Sequence, residues 1–225
     1  MDVTTVTSPD ALEMLTDDKE SRHADLTLIG GPARVGKTTL ARRWTATRPA
    51  ELVHLDHLLH AVAAVATGDE LSALRQAPSI TTHSPEQWLA GLRERDEVLW
   101  KAAGAYSTAA KSGLVLEGGL WPDWVANISR PHAAIFIVDT GDSADRLVDI
   151  TRADPHSWMA QRRWPEEKIR KWACYNMFRS TVIAELADRH GYPVFDIADG
   201  IAAAQDKALA YLATITSAGM TVHEH

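Results

Sequence analysis

Five short apolar runs punctuate the chain, each closed by a polar or glycine-bearing turn, and stretches with helical spacing lie between them. Residues 26–29 (Leu-Thr-Leu-Ile), ended by Gly30 and Gly31, predict a buried strand. Residues 52–55, ending at Asp56, predict a second. Residues 114–116, ended by Glu117-Gly118-Gly119, predict a third. Residues 133–138 are the most hydrophobic run, and residues 192–195 complete the set. Helices are expected over 37–46, 58–66, 145–150, 165–190 and 201–213, with a short one possible over 8–15. Ser84-Pro85-Glu86-Gln87 is a helix start with proline in the first turn, and predicts a helix to about residue 111 that Gly91 and Gly104 would weaken. Residues 67–84 read as a loop.

Strands alternating with helices imply βαβ crossovers. The expected class is therefore α/β: a three-layer fold with a parallel sheet of about five strands and helices on both faces. Ligands in such sheets sit at the carboxyl ends of the strands. Gly31, Asp56, Glu117 and Asp139 all follow predicted strands, so the fold gathers them along one edge. The expected division is a polar leader over 1–24, one domain over 25–215, and a C-terminal tail over 216–225. Within the domain, 67–112 forms a helical insert on the substrate side and 142–180 a lid region.

Composition narrows the partners. The chain has 225 residues, 45% hydrophobic and 24% charged, with a formal net charge of -7. That balance argues against binding nucleic acid or an anionic membrane through the whole surface. No apolar run approaches the ~20 residues that cross a bilayer. The start of the chain is polar and acidic, so no secretory signal is expected. Cys174 stands alone and fits a reducing cytoplasm. A small-molecule partner and a monomer or homodimer are expected. Seven of the eight tryptophans follow residue 87, where they either pack the core or wall a pocket.

The specific chemistry lies in Gly31-Pro32-Ala33-Arg34-Val35-Gly36-Lys37-Thr38-Thr39. This is the G-x-x-x-x-G-K-T spacing, placed after a strand and before a helix. Glycines let backbone N–H groups wrap a phosphate, and the helix N-terminus adds positive potential. Lys37 would reach the outer phosphates and Thr38 would ligate Mg²⁺. Asp56 is either the carboxylate that orients or deprotonates a hydroxyl, or a helix N-cap, or both. Glu117 is the expected Mg²⁺-organising acid, with Asp139 ranked below it. Glu117, Gly118 and Trp121 are expected to face the substrate. His54, His57 and His60 read as ordinary histidines rather than a metal site.

Residues 142–180 hold eight bases against six acids in an otherwise acidic chain. Arg152, Arg162 and Arg163 are candidates to close over a triphosphate, with Arg152 and Arg162 the catalytic choices.

A P-loop, an Asp after the second strand, an acid-Gly-Gly after the third and an arginine-bearing lid resemble the P-loop kinases of small molecules. That group includes shikimate-, gluconate-, nucleoside- and nucleotide-kinase-like enzymes and chloramphenicol-type phosphotransferases. The resemblance spans residues 26 to about 213 in layout, but only the loop is specific in sequence. It implies the P-loop NTPase fold, ATP, Mg²⁺, phosphoryl transfer and lid closure, with Lys37 and Thr38 as phosphate and metal residues and Asp56 on the acceptor side. Arg75, Arg93 and Arg95 are the only arginines between residues 57 and 113, which argues against a nucleoside monophosphate acceptor. The alternatives are a nucleoside or nucleotide kinase, and a regulatory NTP-binding ATPase acting on a partner protein. No guanine-reading N-K-x-D stretch is present.

Overall fold

The computed structural model describes residues 25–75, 78–110, 113–141 and 144–217. The expected leader, its helix over 8–15, Lys111, Asp142 and residues 218–225 of the tail lie outside these.

The five strands are β1 (Leu26–Gly30), β2 (Glu51–His54), β3 (Leu114–Gly118), β4 (His132–Val138) and β5 (Val194–Asp196). They form one sheet in the order β2-β3-β1-β4-β5. Every pairing is parallel: Leu26 registers with Leu114 on one side and with His132 on the other. The nine helices among the described residues are α1 (Lys37–Thr45), α2 (Leu55–Val65), α3 (Gly68–Arg75), α4 (Pro85–Ala109), α5 (Pro122–Val125), α6 (Asp145–Ala153), α7 (Trp158–Gln161), α8 (Glu166–Arg189) and α9 (Ile201–Ser217).

Alternation along β4 separates the layers, because successive side chains point to opposite faces. Ala134, Phe136 and Val138 pack with Leu26, Leu28 and the buried residues of α4 and α8. Ala133, Ile135 and Ile137 pack instead with Leu40, Ala41 and Trp44 of α1 and with Ala204, Ala208 and Leu212 of α9. The central strands are buried on both faces, which explains their continuous apolar runs.

Two expectations are corrected, for 67–84 and for the start of α2. The segment 67–84 is not all loop: α3 forms within it, and its Leu74 is buried against Val98 and Leu99 of α4. Helix α4 spans the expected stretch and runs unbroken through Gly91 and Gly104. A Cβ at Gly91 would stand 3.1 Å from the Pro78 ring, so the glycine admits a crossing loop rather than breaking the helix. Helix α2 begins at Leu55, three residues earlier than expected, and its N-cap is His54. The start of α4 is as the sequence implies: Ser84 accepts from the Gln87 amide, and the Gln87 side chain accepts from the Ser84 amide.

Candidate active site

The phosphate loop joins β1 to α1. Gly31 has φ 140°, and a Cβ there would lie 2.0 Å from the Ile137 carbonyl oxygen. Only glycine fits. Gly36 caps α1 at φ 88° with no side-chain capping bond. The first N–H groups of α1 are therefore not satisfied by a side-chain cap, as an anion cradle requires. Ala33, Arg34, Gly36, Lys37, Thr38 and Thr39 line a cavity of about 690 Å³. Gly31 and Pro32 are buried beneath it, and Val35 is a core residue against α1 and α9.

The Lys37 ammonium donates to the Pro32 carbonyl. Burial holds its pKa below the ordinary lysine value, and the carboxylates of Glu117 and Asp56 pull the other way. Thr38 Oγ1 donates to Glu117 Oε1 at 2.9 Å. His54 Nδ1 meets the same oxygen from β2, and Glu117 is 5% exposed. Asp139 lies elsewhere: its carboxylate pairs with Arg146 of α6 and accepts from the Gly141 amide at 3.3 Å. The hydroxyl of Thr38 beside the carboxylate of Glu117 gives hard oxygen donors suited to Mg²⁺, and the uncapped helix start beside Lys37 suits a polyphosphate. These residues fit a magnesium nucleotide.

A second cavity, of about 250 Å³, opens beside the first. Ala33, Lys37, Asp56 and Trp158 line both. Asp56 is exposed and sits in the first turn of α2, so it is not the helix cap. Gly118 has φ 153°, and a Cβ there would meet the Leu55 Cβ at 2.6 Å. Its bareness lets β3 run close beneath the start of α2. The opposite wall is aromatic, with Trp88, Trp100, Trp124, Trp158 and Trp172.

A buried charged cluster closes the floor. Asp96 of α4 is 4% exposed and Arg179 of α8 5%. Arg179 Nη2 donates to Asp96 Oδ2 at 2.9 Å, Arg95 donates to Oδ1 at 2.7 Å, and Trp121 Nε1 donates to Oδ2 at 3.1 Å. Burial pulls the Arg179 guanidinium below its ordinary pKa, against the opposing charge of Asp96. Its Nε has no hydrogen-bond partner among the described residues.

Several expected placements are corrected. Trp121 is 1% exposed and does not line the cavity, because its indole is turned inward onto Asp96. Glu117 lines the phosphate cavity, not the second one, because Thr38 and His54 hold it there. Arg152 pairs with Glu166 of α8, outside the phosphate cavity. Arg162 lies over the Trp158 ring, 5.4 Å from its centroid, and faces a third cavity. The segment between α6 and α7 reaches the loop through a different contact: Arg34, left-handed at φ 67°, donates to Asp154 at 2.8 Å.

Arg95, Asp96 and Arg179 were not expected. Their signal was present in the sequence as charged residues on the apolar stripes of α4 and α8. Asp96 falls among Leu89, Leu92 and Leu99, and Arg179 among Trp172, Ala173 and Ile183.

No protein-family model and no curated protein matches the chain. The fold is similar to that of solved structures. Shikimate kinase from Bacteroides thetaiotaomicron aligns with TM-score 0.53 and 13% identity, over 84% of this chain and 98% of that one. Shikimate kinase from Acinetobacter baumannii, in complex with shikimate, aligns with TM-score 0.51 and 18% identity, over 87% and 94%. The chain has the P-loop fold of these kinases, and at such identities the likeness is one of fold.

Proposed function

We propose that the chain is a kinase that transfers the γ-phosphoryl group of ATP to a hydroxyl of a small molecule. The observation that carries this reading is the junction of two cavities at Lys37 and Asp56. A nucleotide switch or simple ATPase needs only the phosphate cavity. Here a walled compartment adjoins it, with a carboxylate at the boundary. Small-molecule sites have this character: mostly apolar and aromatic walls with a few convergent polar groups.

In this reading the magnesium nucleotide supplies the transferable phosphoryl group and an electrophilic phosphorus. Lys37 and the N-terminal amides of α1 hold the phosphates, and Thr38 and Glu117 would hold the metal. Asp56 accepts the proton of the acceptor hydroxyl, or its hydrogen bond, as the oxygen approaches. Arg179, at the floor of the second cavity, adds positive charge beside the acceptor. Trp158, which lines both cavities, shields the junction from water.

The test is turnover with Mg²⁺ and ATP, with and without a panel of hydroxylated compounds, reading ADP and phosphorylated product together. Product formed in step with ADP supports the reading. Hydrolysis that no compound increases and a partner protein stimulates overturns it. No helix among the described residues is long and apolar enough to cross a membrane.

A further inference from the structure

A third cavity, of about 230 Å³, continues the acceptor compartment away from the phosphate loop. Trp88, Leu92, Arg95, Trp158 and Trp172 line both, so the two share a common wall. The far side is made by Trp164 and Lys168 at the start of α8, Arg162 after α7, and residues 78–80. Flat apolar walls dominate it. Trp158 and Trp164 meet edge to face at 4.7 Å, and Trp172 stands edge-on to Trp158 at 6.2 Å. Trp88 is fixed by an edge contact with Tyr175, whose hydroxyl donates to the His83 carbonyl at 2.6 Å.

The charge on this compartment has one sign. Arg95, Arg162 and Lys168 line it, and no acid among the described residues does. Arg95 is engaged by Asp96. Arg162 and Lys168 have no carboxylate partner among the described residues and rest over the Trp158 and Trp164 rings, at 5.4 and 4.1 Å from the centroids. In a chain of net charge -7, two uncompensated cations beside a tryptophan-lined slot are a local inversion. Ring walls favour a planar apolar group by area and stacking, and a cation on a ring face favours a negative group beside it.

We propose that this compartment binds a planar aromatic arm bearing a negative charge, so that the acceptor is a two-part molecule: a hydroxyl-bearing head at Asp56 and an anionic arene against the tryptophan wall, beside Arg162 and Lys168. The proposal rests on the kinase reading for the role of the head. The arm itself is tested without turnover.

The probe is 8-anilinonaphthalene-1-sulfonate, an anionic arene, with N-phenyl-1-naphthylamine as its uncharged counterpart. Both are titrated against the whole chain in saturating ADP and Mg²⁺, which occupy the phosphate side. The expected result is saturable binding of the sulfonate at one per chain, with quenching of tryptophan emission. The double variant R162A/K168A should weaken it about tenfold, the scale of one charge-assisted contact. The uncharged probe should bind the wild type more weakly and be indifferent to the variant. Equal binding of the two probes, sulfonate binding unchanged in R162A/K168A, or no saturable binding overturns the proposal. The two readings fail separately. If the sulfonate binds as expected but no hydroxylated compound is phosphorylated, the kinase reading falls and the compartment stands. If short polyols are phosphorylated but the sulfonate does not bind, the compartment falls alone.

Discussion

Arg34 Nη1 lies 2.8 Å from Asp154 Oδ2, tying the phosphate loop to the segment between α6 and α7. Arg34 makes the contact from a left-handed conformation that a residue with a Cβ rarely adopts. Trp158 of α7, which follows Asp154 in the same segment, lines both cavities.

That contact depends on pH in a stated direction. The bond from Arg34 holds the Asp154 carboxyl below the usual aspartate range. A depressed carboxylate contributes above its unfolded value, about 3.9, and loses the contribution as pH falls through the lower folded value. Asp154→Asn removes the charge at every pH. Amide exchange over residues 154–162 should be faster in this variant at pH 7. Protection in the wild type, taken relative to the intrinsic exchange rate at each pH, should fall to that of the variant only below the folded value. Identical exchange at pH 7 would mean the pair positions nothing.

Lys37 predicts opposite effects on stability and on turnover. Burial lowers its pKa, so between the folded value and the unfolded one the unfolded chain binds more proton than the folded chain. Unfolding free energy therefore rises with pH as the lysine range is approached from below, and flattens above about 10.4, where both states are neutral. Lys37→Met removes the buried charge. Its denaturation midpoint without nucleotide should rise, its pH slope should shrink, and added ATP should stabilise it less than wild type. Turnover should fall by roughly 10²-fold or more, the usual loss for one preorganised charge donor. Wild-type turnover in this variant would remove Lys37 from the chemistry.

Asp56 offers a cleaner separation, because His54 and not Asp56 occupies the cap position of α2. An acid in the first turn contributes at most about 1 kcal/mol through the helix dipole. Asp56→Asn should thus leave the thermal midpoint nearly unchanged, while kcat falls by about 10² to 10⁴, the range for a lost general base. A loss confined to KM would recast Asp56 as a binding group.

The fold could be read from the chain because its signals are local. Apolar runs closed by glycine or an acid mark every strand within two residues, and the phosphate loop lies between β1 and α1. The lining of the first cavity was legible where its signal is local: Gly36 to Thr39 follow β1, Asp56 follows β2, and Glu117 is the penultimate residue of β3. It was not legible where three-dimensional packing decides direction. Trp121 sits beside Glu117-Gly118-Gly119, as a wall residue would, yet its indole turns inward to Asp96. Arg152 and Arg162 share the lid with Asp154, but ion pairing and ring contact send them elsewhere. Asp96 and Arg179 stand 83 residues apart and are informative only as a pair.

That pair supports the last prediction. Asp96 balances two arginines in the closed floor of the second cavity, and both it and Arg179 are almost wholly buried. Removing one partner of a buried pair leaves an uncompensated charge, which costs about 3–5 kcal/mol. Asp96→Ala should lower the unfolding free energy by that order, with the Trp121 indole also losing its acceptor. Arg179→Met alone should cost less, because Asp96 keeps Arg95 as a partner. The double variant D96A/R179M should be more stable than D96A, since the orphaned guanidinium is gone, and the double-mutant cycle should show coupling well above the ~0.5 kcal/mol of independent sites. Chemical denaturation of the four proteins checks this. Additive losses would mean that Arg179 is held by the surrounding helices rather than by Asp96.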